Sequence, residues 1–162
     1  MKRLIFSSAL LISAFSFSAH AATSFEVEEF NRASIDAMDA LQSKNYDRAY
    51  ENLNIASKLG NKISQFALAL MYLQGLGVEQ DVTQAYLWLN VAAEGKERKW
   101  RDVRDQIKSS LSSEQKAALQ PMIDEYIAMY GEDAQEVSCY KRAEMGTNRK
   151  LMQCSKYRTP GK

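Results

Sequence analysis

The stretch QFALALMYLQGLGVEQDVTQAYLWLNVAAEG, residues 65–95, decides the fold. Two helix-forming patterns flank the turn Gly75-Leu76-Gly77-Val78. The first helix, expected over residues 62–74, carries Ile63, Phe66, Ala67, Leu70, Met71 and Leu73. Apolar residues thus cover most of its circumference, as in a helix packed between neighbours. Gly75 and Gly77 open backbone angles closed to other residues, so the chain reverses in few positions. Val78 is placed to plug the gap. Asp81 is placed to cap the second helix through the amide of Thr83 or Gln84. Beyond it Ala85, Trp88, Leu89 and Ala92 fall on one stripe, the spacing of a buried helix face. Gly95 is expected to end that helix.

Working toward the N-terminus, Val27, Phe30, Ser34, Ala37, Met38 and Leu41 recur every three or four residues, which predicts a helix over 24–44. Asn45 follows as a candidate N-cap for a helix over 46–59 with Tyr46, Ala49, Leu53 and Ala56 on one stripe, stopped by Gly60-Asn61. Ala49 and Ala85 are 36 residues apart, as are Leu53 with Leu89 and Ala56 with Ala92. A period near that length means that each helix pair buries its apolar face on the next.

Leu68, Tyr72, Gly75, Gly77, Val78, Asp81, Ala85, Trp88, Ala92, Ala93 and Gly95 together form a pattern that resembles the Sel1-like repeat, a relative of the tetratricopeptide repeat. The earlier unit is degenerate, with Asn52 in place of the tryptophan and Ser57 in place of an alanine. The resemblance implies a scaffold that presents a surface, with these residues structural. It implies an adaptor or regulator of an envelope complex. Cysteine-rich members proposed to act on β-lactams carry a cysteine pair in each repeat; the repeats here contain none.

Beyond Gly95, Trp100, Val103, Ile107 and Leu111 mark a further helix. Its other faces carry Lys96, Arg98, Lys99, Arg101, Arg104 and Lys108, relieved by Glu97, Asp102 and Asp105. Ser112 with Gln115 three positions on reads as a capping box. It opens a last helix that Gly131 is expected to end. Pro121 lies inside that helix and removes a backbone donor, which predicts a kink or break there. Residues 132–162 lack helical periodicity, and Gly146-Thr147-Asn148 reads as a turn. Cys139 and Cys154 are then expected to bridge two short extended arms as a disulfide. The fold class that follows is all-α: a short right-handed helical-repeat solenoid with a disulfide-closed, mostly non-helical C-terminal tail.

Met1-Lys2-Arg3, the apolar run to Phe17 and Ala19-His20-Ala21 fit a secretory signal peptide over 1–21. The expected organisation is therefore that signal, a solenoid with capping helices over 22–131, and a basic tail over 132–162. The apolar run is short for a bilayer span of about 20 residues, so no stable membrane insertion is expected after cleavage. Cleavage would also remove His20, the single histidine of the chain.

Without histidine, a nucleophile–base–orienter set has no recognisable form, and no cofactor or metal site is expected. Gly75-Leu76-Gly77 lacks the lysine and context of a phosphate loop. The formal net charge of +1 hides an asymmetry. From Cys139 onward Lys141, Arg142, Arg149, Lys150, Lys156, Arg158 and Lys162 stand against Glu144 alone, leaving the preceding region acidic. The leading expectation is a non-enzymatic periplasmic or secreted interaction module whose partner is another envelope or secreted protein. Its contacts are expected on the concave face, or on Arg98, Arg101 and Arg104 together with Arg149 and Lys150. Export argues against nucleic acid. Two alternatives stay open: an anionic-polysaccharide-binding protein, and a cell-wall or glycan enzyme using carboxylates such as Glu26, Glu28, Glu29 and Asp36, which would need two of them about 5–10 Å apart.

Overall fold

Local chemistry sets the helix boundaries. The computed structural model describes residues 24–157; the expected signal peptide lies outside them. Helix α1 spans Ser24–Gln42, α2 Tyr46–Lys58, α3 Lys62–Gln74, α4 Val82–Ala92, α5 Arg98–Ser110 and α6 Ser113–Tyr130. Asn45 caps α2 by accepting from the Arg48 amide at 3.2 Å. Asn61 caps α3 by accepting from the Ile63 and Ser64 amides, and its own amide donates to Ser34 Oγ on α1. Asp81 caps α4 by accepting from the Gln84 amide at 2.9 Å. Ser112 and Gln115 form the reciprocal capping box at the start of α6.

Consecutive helices pack as α1 on α2, α2 on α3 and α3 on α4, and then both α5 and α6 pack on α4. The core is built from the two repeat stripes: Ala49, Leu53, Leu68, Ala69, Ala85, Leu89 and Ala92 are fully buried. Each buried leucine contributes about 2 kcal/mol. The alanines let the helices approach closely, while Trp88 packs against Tyr126 and Tyr130 of α6. Phe66 of α3 stacks on Trp100 of α5 at 5.4 Å between ring centroids, which docks the last helices on the repeat.

Two expectations from sequence change in detail. Helix α6 runs unbroken through Pro121; the proline is exposed, so the carbonyl it leaves without a donor faces water. Gly95 does not supply the turn after α4. A 3-10 turn over Ala93–Gly95 follows α4, and Lys96 takes the left-handed conformation, φ 57°. Gly95 is instead a packing residue, because a Cβ there would lie 2.8 Å from the Trp100 ring. Gly131 ends α6 as expected, its amide donating to the Ile127 carbonyl. A side chain at Gly131 would meet the Ile127 carbonyl and the Glu94 carboxylate.

The tail is a β-hairpin. Strand β1, Val137–Ala143, pairs antiparallel with β2, Lys150–Lys156, in the register Cys139 opposite Cys154. The two cysteines form a disulfide with their Cα atoms 4.1 Å apart. The turn closes through the Glu144 amide on the Arg149 carbonyl and the Thr147 amide on the Glu144 carbonyl. At its base the hairpin lies on the edge of the solenoid: Val137 is buried and within reach of Gly60, and Lys156 Nζ donates to the carbonyls of Gln135 and Leu59.

Candidate interaction surface

The repeat motif residues are the frame that positions the surfaces. Gly75 is left-handed, φ 65°, and ends α3. Gly77, φ 66°, sits against Tyr46, where a Cβ would fall 2.5 Å from the backbone oxygen. Only glycine fits there, since both the backbone angle and the space exclude a side chain. Val78 packs against the core beside them. Tyr72 reaches Tyr50 of the preceding unit, with 3.0 Å between hydroxyls. Burial, reinforced by that hydroxyl, pushes the Tyr72 phenol well above its ordinary range. Tyr126 of α6 donates to Gln84 Oε1 at 2.9 Å. Leu68, Ala85, Trp88 and Ala92 are core.

A hollow of about 380 Å³ opens where the end of α3, the start of α4 and the second half of α5 meet. Leu73, Val82, Val103 and Ile107 line it with Gln106 and Ser110. Val82 is 49 % exposed. The amphipathic pattern of α5 explains the groove: Trp100 is buried, whereas Val103 and Ile107 on the same stripe are only partly covered. No carboxylate lines this groove.

The basic residues expected to bind a partner divide into two groups. Arg98 and Arg101 are exposed on α5, and Arg104 is partly buried. Arg98 meets Asp102 at 3.7 Å and Arg104 meets Asp105 at 2.8 Å, so aspartates already face this strip. Arg149 and Lys150 sit at the exposed turn of the hairpin. The ion pair that joins hairpin to α5 runs instead from Lys141 to Glu97, at 2.9 Å. Its ammonium holds the Glu97 carboxyl below the usual range. Of the carboxylates weighed for glycan chemistry, Glu26, Glu28, Glu29 and Asp36 all stand on the single helix α1, and Asp36 pairs with Arg48. Among the described residues no group of three or more His, Cys, Asp or Glu is arranged to hold a metal ion.

A buried polar junction went unnoticed in the sequence. Lys62 is fully buried and donates to Glu94 Oε2 at 2.7 Å and to the Tyr130 carbonyl at 3.3 Å. Gln65 donates to the Tyr130 and Ser57 carbonyls, each at 2.9 Å, and the Glu132 amide donates to Glu94 Oε2 at 3.0 Å. One junction thus ties the start of α3, the end of α4, the end of α6 and the segment leading to β1. Burial lowers the Lys62 pKa, with the Glu94 carboxylate opposing that shift, and burial raises the Glu132 pKa. A signal existed: a lysine opens α3 and Glu94 follows α4, each at the end of a helix whose dipole disfavours its charge. Such local conflicts point to tertiary partners.

An all-helical stack of pairs with a short loop-glycine turn defines a helical-repeat solenoid. The Sel1 repeat pattern matches residues 40–61 and 62–96. Residues 40–96 thus carry Sel1-type repeats. Among solved structures it is similar to c5321, described as a protective antigen present in uropathogenic Escherichia coli strains and displaying an SLR fold. The identity is 22 %, the TM-score 0.54, and the match covers 76 % of this chain but only 27 % of that one. The likeness establishes the fold, and the chain spans about a quarter of that protein. No curated protein matches the sequence. Sel1-type repeats generally serve as protein–protein interaction modules and typically as non-catalytic scaffolds. The disulfide is consistent with an oxidising, extracytoplasmic compartment, and no described helix is long and apolar enough to cross a membrane.

Proposed function

We propose that this protein is a non-enzymatic adaptor or regulator of an envelope complex, exported by a signal peptide over 1–21 and held in the periplasm or secreted. Residues 22–131 form its scaffold and 132–162 its basic tail. The observation that carries the reading is the apolar groove of Leu73, Val82, Val103 and Ile107. A groove of this composition receives apolar side chains of a protein partner, and Arg98, Arg101 and Arg104 elsewhere on α5 are the candidate polar contacts. A photo-crosslinking residue placed at Val103, against one at the exposed Lys58 on α2, tests this in cells. A discrete protein adduct at Val103, absent at Lys58 and lost when Val82 is changed to Asp, supports the reading. Equal adducts at both positions, or none at Val103, contradict it.

A further inference from the structure

The hydrogen-bond register of the hairpin leaves a usable strand edge. The Tyr157 amide donates to the Glu136 carbonyl and the Glu144 amide to the Arg149 carbonyl. Both are cross-strand partners in the register of the sheet, so even-numbered β1 residues are the hydrogen-bonded ones. In an antiparallel pair the alternate residues turn both backbone groups outward. Cys139 opposite Cys154 is such a pair, in keeping with its Cα separation of 4.1 Å. On β2 the outward groups therefore belong to Lys150, Met152, Cys154 and Lys156. The sheet has two strands, and among the described residues no backbone group caps those of Lys150, Met152 and Cys154.

Charge selects the occupant. On β1 the Lys141 ammonium is satisfied by Glu97, whereas Arg149 and Lys150 at the distal end of β2 have exposed side chains. Glu144 across the turn is engaged by Thr147 Oγ1. An acidic segment laid along the edge would meet these cations. Beside the edge lie exposed Leu151 and a shallow hollow of about 290 Å³ lined by Arg142, Ala143, Leu151, Met152 and Gln153 along with Glu144. A strand added there alternates its side chains between the two faces, one set meeting Lys150 and Met152 and the other Leu151 and Gln153.

We propose that the distal half of β2 is a strand-addition site for an extended, acidic–apolar segment of a partner protein. Backbone pairing supplies the hydrogen bonds, and the cations at the turn select an acidic sequence. The disulfide holds β1 and β2 in register, so the edge is formed before the partner arrives. This surface is separate from the groove between α3, α4 and α5, and either stands without the other.

The test uses the full disulfide-bonded protein and a fluorescent peptide of alternating glutamate and valine, as long as the 7 residues of β2. A control peptide of equal charge carries proline at alternate positions and cannot pair as a strand. Anisotropy should show the alternating peptide binding about tenfold tighter than the control. Met152→Pro removes one outward amide and should abolish that difference, whereas Lys141→Pro on the opposite edge should keep it. Lys150→Glu, which leaves the backbone intact, should weaken binding on its own and covers the case in which the proline disturbs the hairpin. Equal binding of both peptides would reduce the site to charge attraction and overturn the proposal. So would absence of binding, or sedimentation showing that the edge is already filled by a second copy.

Discussion

Lys62 gives the most informative perturbation. Its ammonium is fully buried, 2.7 Å from Glu94 Oε2, and it also donates to the Tyr130 carbonyl. Lys62→Met fills similar space without the charge, leaving Glu94 without its cation. Breaking a buried pair from one side costs about 3–5 kcal/mol. Here the Glu94 side chain retains 29 % exposure and still accepts from the Glu132 amide. Water and that donor offset part of the loss, so the expected cost is about 2–3 kcal/mol. The double change Lys62→Met with Glu94→Leu removes both charges and should recover to within about 1 kcal/mol of the parent. Urea unfolding of the oxidised protein gives the three free energies, and their cycle gives the coupling. Amide exchange at Glu132 should speed up in the single variant. A single change within about 0.5 kcal/mol of the parent, or strictly additive changes, would refute the idea that this pair holds the hairpin and α6 to the repeat.

Other outcomes follow from the same structure. Gly77→Ala should lose more than about 2 kcal/mol, because a left-handed alanine costs about 1–2 kcal/mol before its Cβ meets the Tyr46 carbonyl; thermal unfolding checks it. Replacing Cys139 and Cys154 by serine should weaken the hairpin by about 3 kcal/mol for a loop of this length while helical circular dichroism stays unchanged, because the helical core forms without it. Glu132 has its pKa raised above the ordinary 4.5 by burial. The folded state therefore binds that proton more tightly than the unfolded chain, and this contribution to stability is lost as pH rises from 4.5 through the raised value. Glu132→Gln should accordingly be slightly more stable than the parent at neutral pH, by less than about 1 kcal/mol because water screens a partly exposed group, with the gap closing in acid. A melting series across pH measures it.

The helices were legible because their signals are local. Asn45, Asp81 and the Ser112–Gln115 box announce starts through side chains that satisfy amides within three residues. The stripe of Ala85, Trp88, Leu89 and Ala92 likewise marks its own buried face. Gly131 ends α6 as its sequence position announces. Gly95 was misread: it looks like a helix stop in sequence, yet its role is set by Trp100 from another helix. No break occurs at Pro121 because the proline lies on an exposed face, where solvent replaces the lost bond. The candidate surfaces were the least legible. The α5 strip of Arg98, Arg101 and Arg104 and its local pairing with aspartates were visible by composition and spacing, but the apolar groove depends on how α5 docks. The disulfide was expected from two cysteines; the strand register that turns it into a rigid edge was not.

The central claim is that the chain is an interaction scaffold whose repeat stack presents the groove between α3, α4 and α5. The direct measurement is crosslinking from Val103 in intact cells, with adducts identified by mass spectrometry in the parent and in a Val82→Asp variant. One recurrent envelope or secreted protein should be joined at Val103 and be missing from the variant and from the Lys58 control. Adducts that are diffuse, or indifferent to Val82→Asp, would contradict it.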